Sequence, residues 1–219
     1  MSSFVVHKYI DCFYRDLMSN MDYSKYIFPL DSTTDGSGVL VGNLFITAGH
    51  VIEMSTKPAV VIEGRSYPLD KMDALVFDTN PDKRTDGYDV AIYRLPNLIS
   101  PLLLSETTPS EGEELLSCSF KHSVSGTPGL SSNIFSSDIK EEWLFENHLG
   151  KVISHYDNYF ECQFEETLSK GSSGSPILNG DEVAGILYGD KDGKNSSKTV
   201  LFLSSAVILR LLNEANNNK

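Results

Sequence analysis

Apolar residues fall along this chain in two textures. Val6, Ile10, Phe13 and Leu17 recur at helical spacing, with Asp11, Arg15 and Asp16 between them, so the pattern predicts an amphipathic helix within residues 1–20. From Tyr26 the period shortens to that of strands. Apolar or alternating runs at 26–30, 39–45, 59–62, 74–77 and 90–95, separated by Asp-Gly, Glu-Gly and Asn-Pro turn signals, predict a first antiparallel unit over 21–100. Pro101 and Pro109 make the stretch from Pro96 to Ser110 a connector, because proline is excluded from central strands. A second set of runs follows at 115–120, 151–155, 160–164, 176–178, 182–187 and 199–203, giving a second unit over 101–203. Phe160, Cys162 and Phe164 alternate there as a half-buried strand should. The region 123–150 reads as loop-rich. Ser204 or Ser205 offers an N-cap for a closing helix over 204–215, with Val207, Leu211 and Leu212 on its apolar stripe. Many short strands in two sets joined by a connector argue for an all-β chain of two small barrels.

Composition narrows the partners. The 219 residues, 40% of them apolar, suffice for one substantial core or two small ones packed together. With 18 Lys and Arg against 30 Asp and Glu, the formal charge of −12 repels a phosphate backbone and argues against nucleic acid. No run reaches the roughly 18 apolar residues needed to cross a bilayer, and the charged start lacks a signal-peptide core. No membrane association and a cytoplasmic location are the expectations. Cys12, Cys118 and Cys162 are odd in number and widely spaced, so they read as buried thiols and not as a zinc site or redox pair.

Three segments carry candidate chemistry. Thr47-Ala48-Gly49-His50 follows an apolar run, Asp89 opens another, and Gly171-Ser172-Ser173-Gly174-Ser175-Pro176 precedes a third. A serine hydroxyl holds its proton too tightly to attack at neutral pH unless an imidazole takes it. The imidazole in turn needs a carboxylate on its far nitrogen to fix the tautomer and stabilise the imidazolium. His50, Asp89 and Ser173 are therefore candidates for base, orienting acid and nucleophile, with no cofactor needed. Main-chain amides of the Gly171, Ser172 and Ser173 turn would form the oxyanion hole, where a residue without Cβ lets the donors converge. Asp86 rivals Asp89, but the following Gly87 favours a turn. His7, His122, His148 and His155 have no such context. Asp190-Lys191-Asp192-Gly193 lacks the later ligands of a calcium loop and reads as a hairpin turn.

These residues resemble the chymotrypsin-like (trypsin-fold) serine peptidases, and within them the branch similar to the HtrA/DegP protease domain. The resemblance runs from Gly36 to Leu212. It rests on Gly36-Ser37-Gly38-Val39-Leu40, the Thr-Ala-Gly-His turn, Asp89 before an apolar strand, the Gly-x-Ser-Gly-Ser-Pro loop, Val183-Ala184-Gly185-Ile186, and Phe202-Leu203-Ser204 running into a helix. Chain order His…Asp…Ser agrees, and Ser175 stands where the nucleophile elbow of α/β-hydrolases needs glycine. The resemblance implies two six-stranded antiparallel β-barrels in one peptidase unit over 1–219, and cleavage of proteins or peptides through an acyl-enzyme. No PDZ-like extension is expected after the closing helix, which departs from the HtrA pattern. A catalytically silent binding module and a serine esterase are the alternatives.

The same resemblance places a substrate pocket along 166–172, 187–190 and the strand near Leu201, with Thr167, Lys170, Tyr188 and Asp190 as its residues. Thr167 would be the floor, or Glu166 after a one-residue slip, with a small, polar or basic preference following. Ser172 takes the place of an activating aspartate, so zymogen activation is not expected. A regulatory protein partner acting through 123–150 is a further expectation.

Overall fold

The computed structural model describes residues 21–31, 35–79, 88–125, 140–190 and 198–217. The N-terminal helix expected within 1–20, together with Cys12, Asp86 and most of the 190–193 turn, lies outside them.

The first sheet holds β1 (Ile27–Asp31), β2 (Ser37–Val41), β3 (Leu44–Thr47), β4 (Ala59–Ile62), β5 (Arg65–Pro68), β6 (Val76–Thr79) and β7 (Asp89–Arg94), with α1 (Gly49–Glu53) between β3 and β4. Its order is β5-β4-β1-β2-β3-β7-β6, antiparallel throughout, so it remains a half-barrel where six closed strands were expected. The single run predicted at 39–45 is in fact a hairpin: Gly42, at φ +55, turns β2 into β3 so that Leu40 faces Phe45.

The second sheet holds β8 (Leu103–Leu104), β9 (Glu114–Ser125), β10 (Lys140–His155), β11 (Tyr159–Phe164), β12 (Pro176–Asn179), β13 (Glu182–Asp190) and β14 (Thr199–Ser204). Pairing of β12 with β13 closes six of these into a barrel, and β8 adds to β13 in parallel from within the expected connector. The loop-rich reading of 123–150 is overturned where it is described. β9 and β10 pair continuously from Glu114↔Lys151 out to Ser125↔Lys140. Charged residues at 140–142 and 146 hid this ribbon, because a projecting hairpin with solvent on its edges needs no clean alternation. Cross-strand rings hold it instead, Phe120 edge-on to Phe145 with centroids 5.2 Å apart, a pairing worth about 0.5–1.5 kcal/mol beyond its burial.

Period-two geometry sorts the core into three layers. In β7, Ala91 and Tyr93 point into the first sheet's own core with Leu40, Phe45 and Val60, while Val90 and Ile92 point the other way. In β11 and β14, Phe160, Cys162, Val200 and Phe202 fill the closed barrel, while Tyr159, Leu201 and Leu203 point out of it. The outward sets meet each other between the barrels, together with Val207 and Ile208 of α2 (Ser205–Asn217). Strands buried on both faces read as continuous apolar runs, which is why simple alternation was rare in the sequence. The Ser204 and Ser205 hydroxyls are engaged elsewhere than at a helix cap: Ser205 donates to the Val183 carbonyl at 2.5 Å and Ser204 faces Thr108 at 3.0 Å.

Candidate active site

His50 sits in the first turn of α1, just after β3 delivers the chain to the barrel end. Asp89 opens β7, the strand paired with β3. That adjacency brings the two together. The Asp89 carboxylate accepts the His50 main-chain N–H at 2.7 Å through Oδ1 and meets the ring Nδ1 at 2.5 Å through Oδ2. Only 2% of Asp89 is exposed, so this bond is shielded from competing water. A carboxylate held at two points cannot swing away, and an acceptor on Nδ1 leaves Nε2 as the free basic nitrogen.

Groups from both barrels enclose the acid. Tyr159, from the second barrel, hydrogen-bonds to the Asp89 main chain, and burial first, then Tyr188 and the Asp89 charge, push its phenol above the ordinary tyrosine range. Asp78, beside it on β6, is raised by partial burial and then by the charge of Asp89. Sequence reasoning did not select Tyr159, which lies among ordinary strand aromatics and carries no local motif.

The Gly171–Ser175 turn belongs to the second barrel but rests on the first. The Ser37 N–H donates to the Ser173 carbonyl at 2.8 Å, and Gly174 N–H donates to Leu187 O at 2.9 Å. Gly174, at φ +82, lies so close to Thr47 and Ala48 that a Cβ would stand 2.8 Å from the Ala48 nitrogen. Thus the nucleophile candidate is anchored against the residues that lead into His50. Gly171, at φ +96, leaves its missing Cβ only 2.6 Å from the Phe120 carbonyl and 3.2 Å from the Trp143 ring. Its positive φ is the conformation glycine adopts without steric cost. Among the described residues no acceptor takes the N–H of Gly171 or of Ser173, whereas Ser172 and Ser175 donate within the turn, to Ser169 O and Ser172 O. Ser172 is buried and its hydroxyl donates to Ser119 at 3.2 Å, a neutral contact at the aspartate position of the resemblance.

The structure therefore brings His50 and Asp89 into direct contact and sets the Ser173 turn against the approach to His50. Among the described residues no hydrogen bond joins the Ser173 hydroxyl to the imidazole, and Ser173 is partly exposed. Active sites commonly tighten such contacts only when substrate is bound. Of the expected pocket residues, Thr167 and Lys170 are exposed, and so is Glu166. Water around Thr167 suits a rim better than an enclosed floor, and a solvated Glu166 would select a cation only weakly. Tyr188 is enclosed against Tyr159, with ring centroids 5.2 Å apart. Asp190 ends β13 opposite Val200. The segment is tethered by Ser169, whose hydroxyl donates to Glu146 of the ribbon at 2.7 Å.

Of the other histidines, His122 stacks on Trp143 and meets Asp35 at 3.2 Å, while His148 lies 3.5 Å from Glu146. No group of three or more His, Cys, Asp or Glu is placed to hold a metal among the described residues. No helix among them is long and apolar enough to cross a membrane.

A closed barrel and a half-barrel in contact, with an acid–imidazole pair at the end of one and a glycine-bounded serine turn from the other, define the two-barrel fold of the chymotrypsin class. The family model described as a trypsin-like peptidase domain matches residues 36–186, and the chain belongs to that family. Among solved structures, the active form of the Rv3671c protease from M. tuberculosis is 13% identical, with 93% of this chain and 86% of that one covered at a TM-score of 0.63. Its inactive form superposes with a TM-score of 0.59 at 16% identity, covering 88% and 90% of the two chains. The serine endoprotease from Yersinia pestis gives 0.63 at 16% identity over 92% of this chain and 66% of its own. These likenesses are of fold. A search of curated proteins by sequence finds no match.

Proposed function

We propose that this trypsin-like protease is an endopeptidase working through His50, Asp89 and Ser173. His50 Nε2 takes the Ser173 proton as Oγ attacks the scissile carbonyl. The resulting imidazolium is stabilised by Asp89. The negative oxygen of the tetrahedral intermediate is met by the amides of Gly171 and Ser173, which have no acceptor among the described residues. Collapse expels the amine, which receives its proton from His50, and leaves an acyl-enzyme on Ser173. Water, deprotonated by His50, then releases the acid. The substrate chain would lie along 166–172 and 187–190, with Thr167 and Lys170 at the rim, Asp190 at the strand end and Tyr188 contributing through its main chain.

The observation that carries this reading is the doubly bonded, buried Asp89 on His50. A carboxylate buried with an imidazole as its partner is costly unless its charge is used, and here the ring's other nitrogen stays available. The test is labelling by a fluorophosphonate, with cleavage of a protein substrate, for the parent and Ser173→Ala. Label and cleavage in the parent alone support the reading. A parent that neither labels nor cleaves, with or without added partner proteins, removes it. Turnover of esters but not of matching amides would favour an esterase.

The unjoined Ser173 and His50 favour a second reading, in which the site is completed only when a substrate or regulatory protein binds. Labelling that rises on adding such a protein would support it.

A further inference from the structure

Ser37 opens β2, is fully buried, and directs every polar group it has at another part of the site. Its N–H donates to Ser173 O at 2.8 Å, and its carbonyl accepts the Thr47 hydroxyl at 2.7 Å. Its own hydroxyl donates to Gly171 O at 2.7 Å and accepts the Phe120 N–H at 3.2 Å. One side chain from the half-barrel thus joins the nucleophile turn to strand β9 of the closed barrel.

We propose that the Ser37 hydroxyl is a positioning group for the oxyanion donors, an inference that rests on the peptidase reading above. Gly171 has no Cβ to restrict its ψ, so its peptide units can rotate cheaply unless something holds them. Ser37 holds the Gly171 carbonyl, and Ser172 N–H, at the other end of the same peptide, is held by Ser169 O. The Gly171 N–H lies on the preceding peptide, hinged to that plane at the Gly171 Cα, so a fixed plane leaves the donor less freedom to turn away from developing charge. The Ser37 N–H fixes the Ser173 side of the turn in the same way. Without the hydroxyl, a buried carbonyl and the Phe120 N–H both lose their partner, and rotation of the Gly171 peptide becomes a route to recover one. The effect falls on the transition state because the donors bind the developing charge more tightly than the neutral carbonyl.

Ser37→Ala keeps both main-chain contacts and removes only the hydroxyl. The expected result is a kcat lowered roughly 10- to 100-fold, somewhat less than outright loss of an oxyanion donor, with KM nearly unchanged. Affinity for a peptide boronate, which forms the tetrahedral adduct on Ser173, should fall in step with kcat. Binding of an uncleaved product peptide should not. A purely structural role would lower the fraction of active enzyme, counted by active-site titration, without changing kcat per titrated site. Thr47→Val, which frees the Ser37 carbonyl, should give the same split at smaller size, and it decides the matter if Ser37→Ala does not fold. Unchanged kcat per site, or a loss confined to KM, overturns the positioning role while leaving the peptidase reading intact. An inert parent overturns the reading itself.

Discussion

Asp89, itself only 2% exposed, grips His50 at two points, the ring Nδ1 and the main-chain N–H. An amide side chain at 89 would preserve the shape but present an N–H toward one of these donors. The ring then turns over or shifts its proton to Nε2, and the base is lost. Asp89→Asn should lower kcat by about 10⁴-fold with little change in KM, the loss typical for this substitution in a triad. Steady-state kinetics on a peptide substrate measures it, and a fall of less than tenfold would remove Asp89 from the triad.

Gly171 tests the oxyanion turn directly. A methyl group there meets the Phe120 carbonyl at 2.6 Å and forces an L-residue to hold φ +96. The turn must move, and the amides move with it. Gly171→Ala should cost about 10²–10³ in kcat, the loss of one donor, while far-ultraviolet circular dichroism stays that of the parent.

At Gly174 the same substitution should act on stability. Its Cβ would enter the space of Ser37 O and Thr47, where main chain cannot yield, at φ +82. Positive-φ strain and overpacking together predict a loss of about 2–4 kcal/mol for Gly174→Ala. The urea midpoint reports it. A midpoint equal to the parent's would mean the two barrels do not meet as described.

Alkaline pH should weaken the fold. The Cys162 thiol is pushed up to about 12 from 9.0 by burial and then by the Glu161 charge, and burial raises Cys118 further. Both contributions are complete below pH 9. Above it the unfolded thiols release protons that the folded ones retain, so stability declines with rising pH by up to about 1.4 kcal/mol per pH unit for each thiol. Melting temperature at pH 8 and 10.5 checks the sign, and Cys162→Ala should make the decline shallower, despite lowering stability overall.

Much of this architecture was legible because its physics is local. Phe160, Cys162 and Phe164 alternate in sequence and enter the closed barrel together. The catalytic candidates were legible for another reason: each chemistry needs a particular residue type beside a particular turn. What escaped depends on contacts distant along the chain. Ser37 earned notice only as part of a glycine-flanked run, since its partners Phe120 and Gly171 lie 83 and 134 residues away. Tyr159 acquires its role from Asp89, across the seam. The ribbon of β9 and β10 escaped because its charged residues break the alternation: Glu142 is exposed and Glu146 pairs with Lys121, and a two-stranded projection tolerates them.

The chemistry is split between halves that each hold their own core, and Ser37, Tyr159 and the Gly174 contact are among the ties that join its parts across the seam. Sliding one half past the other by about 1 Å, a misplacement that can cost on the order of 10²-fold in rate, would silence the molecule without melting either half. The seam is therefore the place where a binding protein or a small molecule could throttle hydrolysis reversibly.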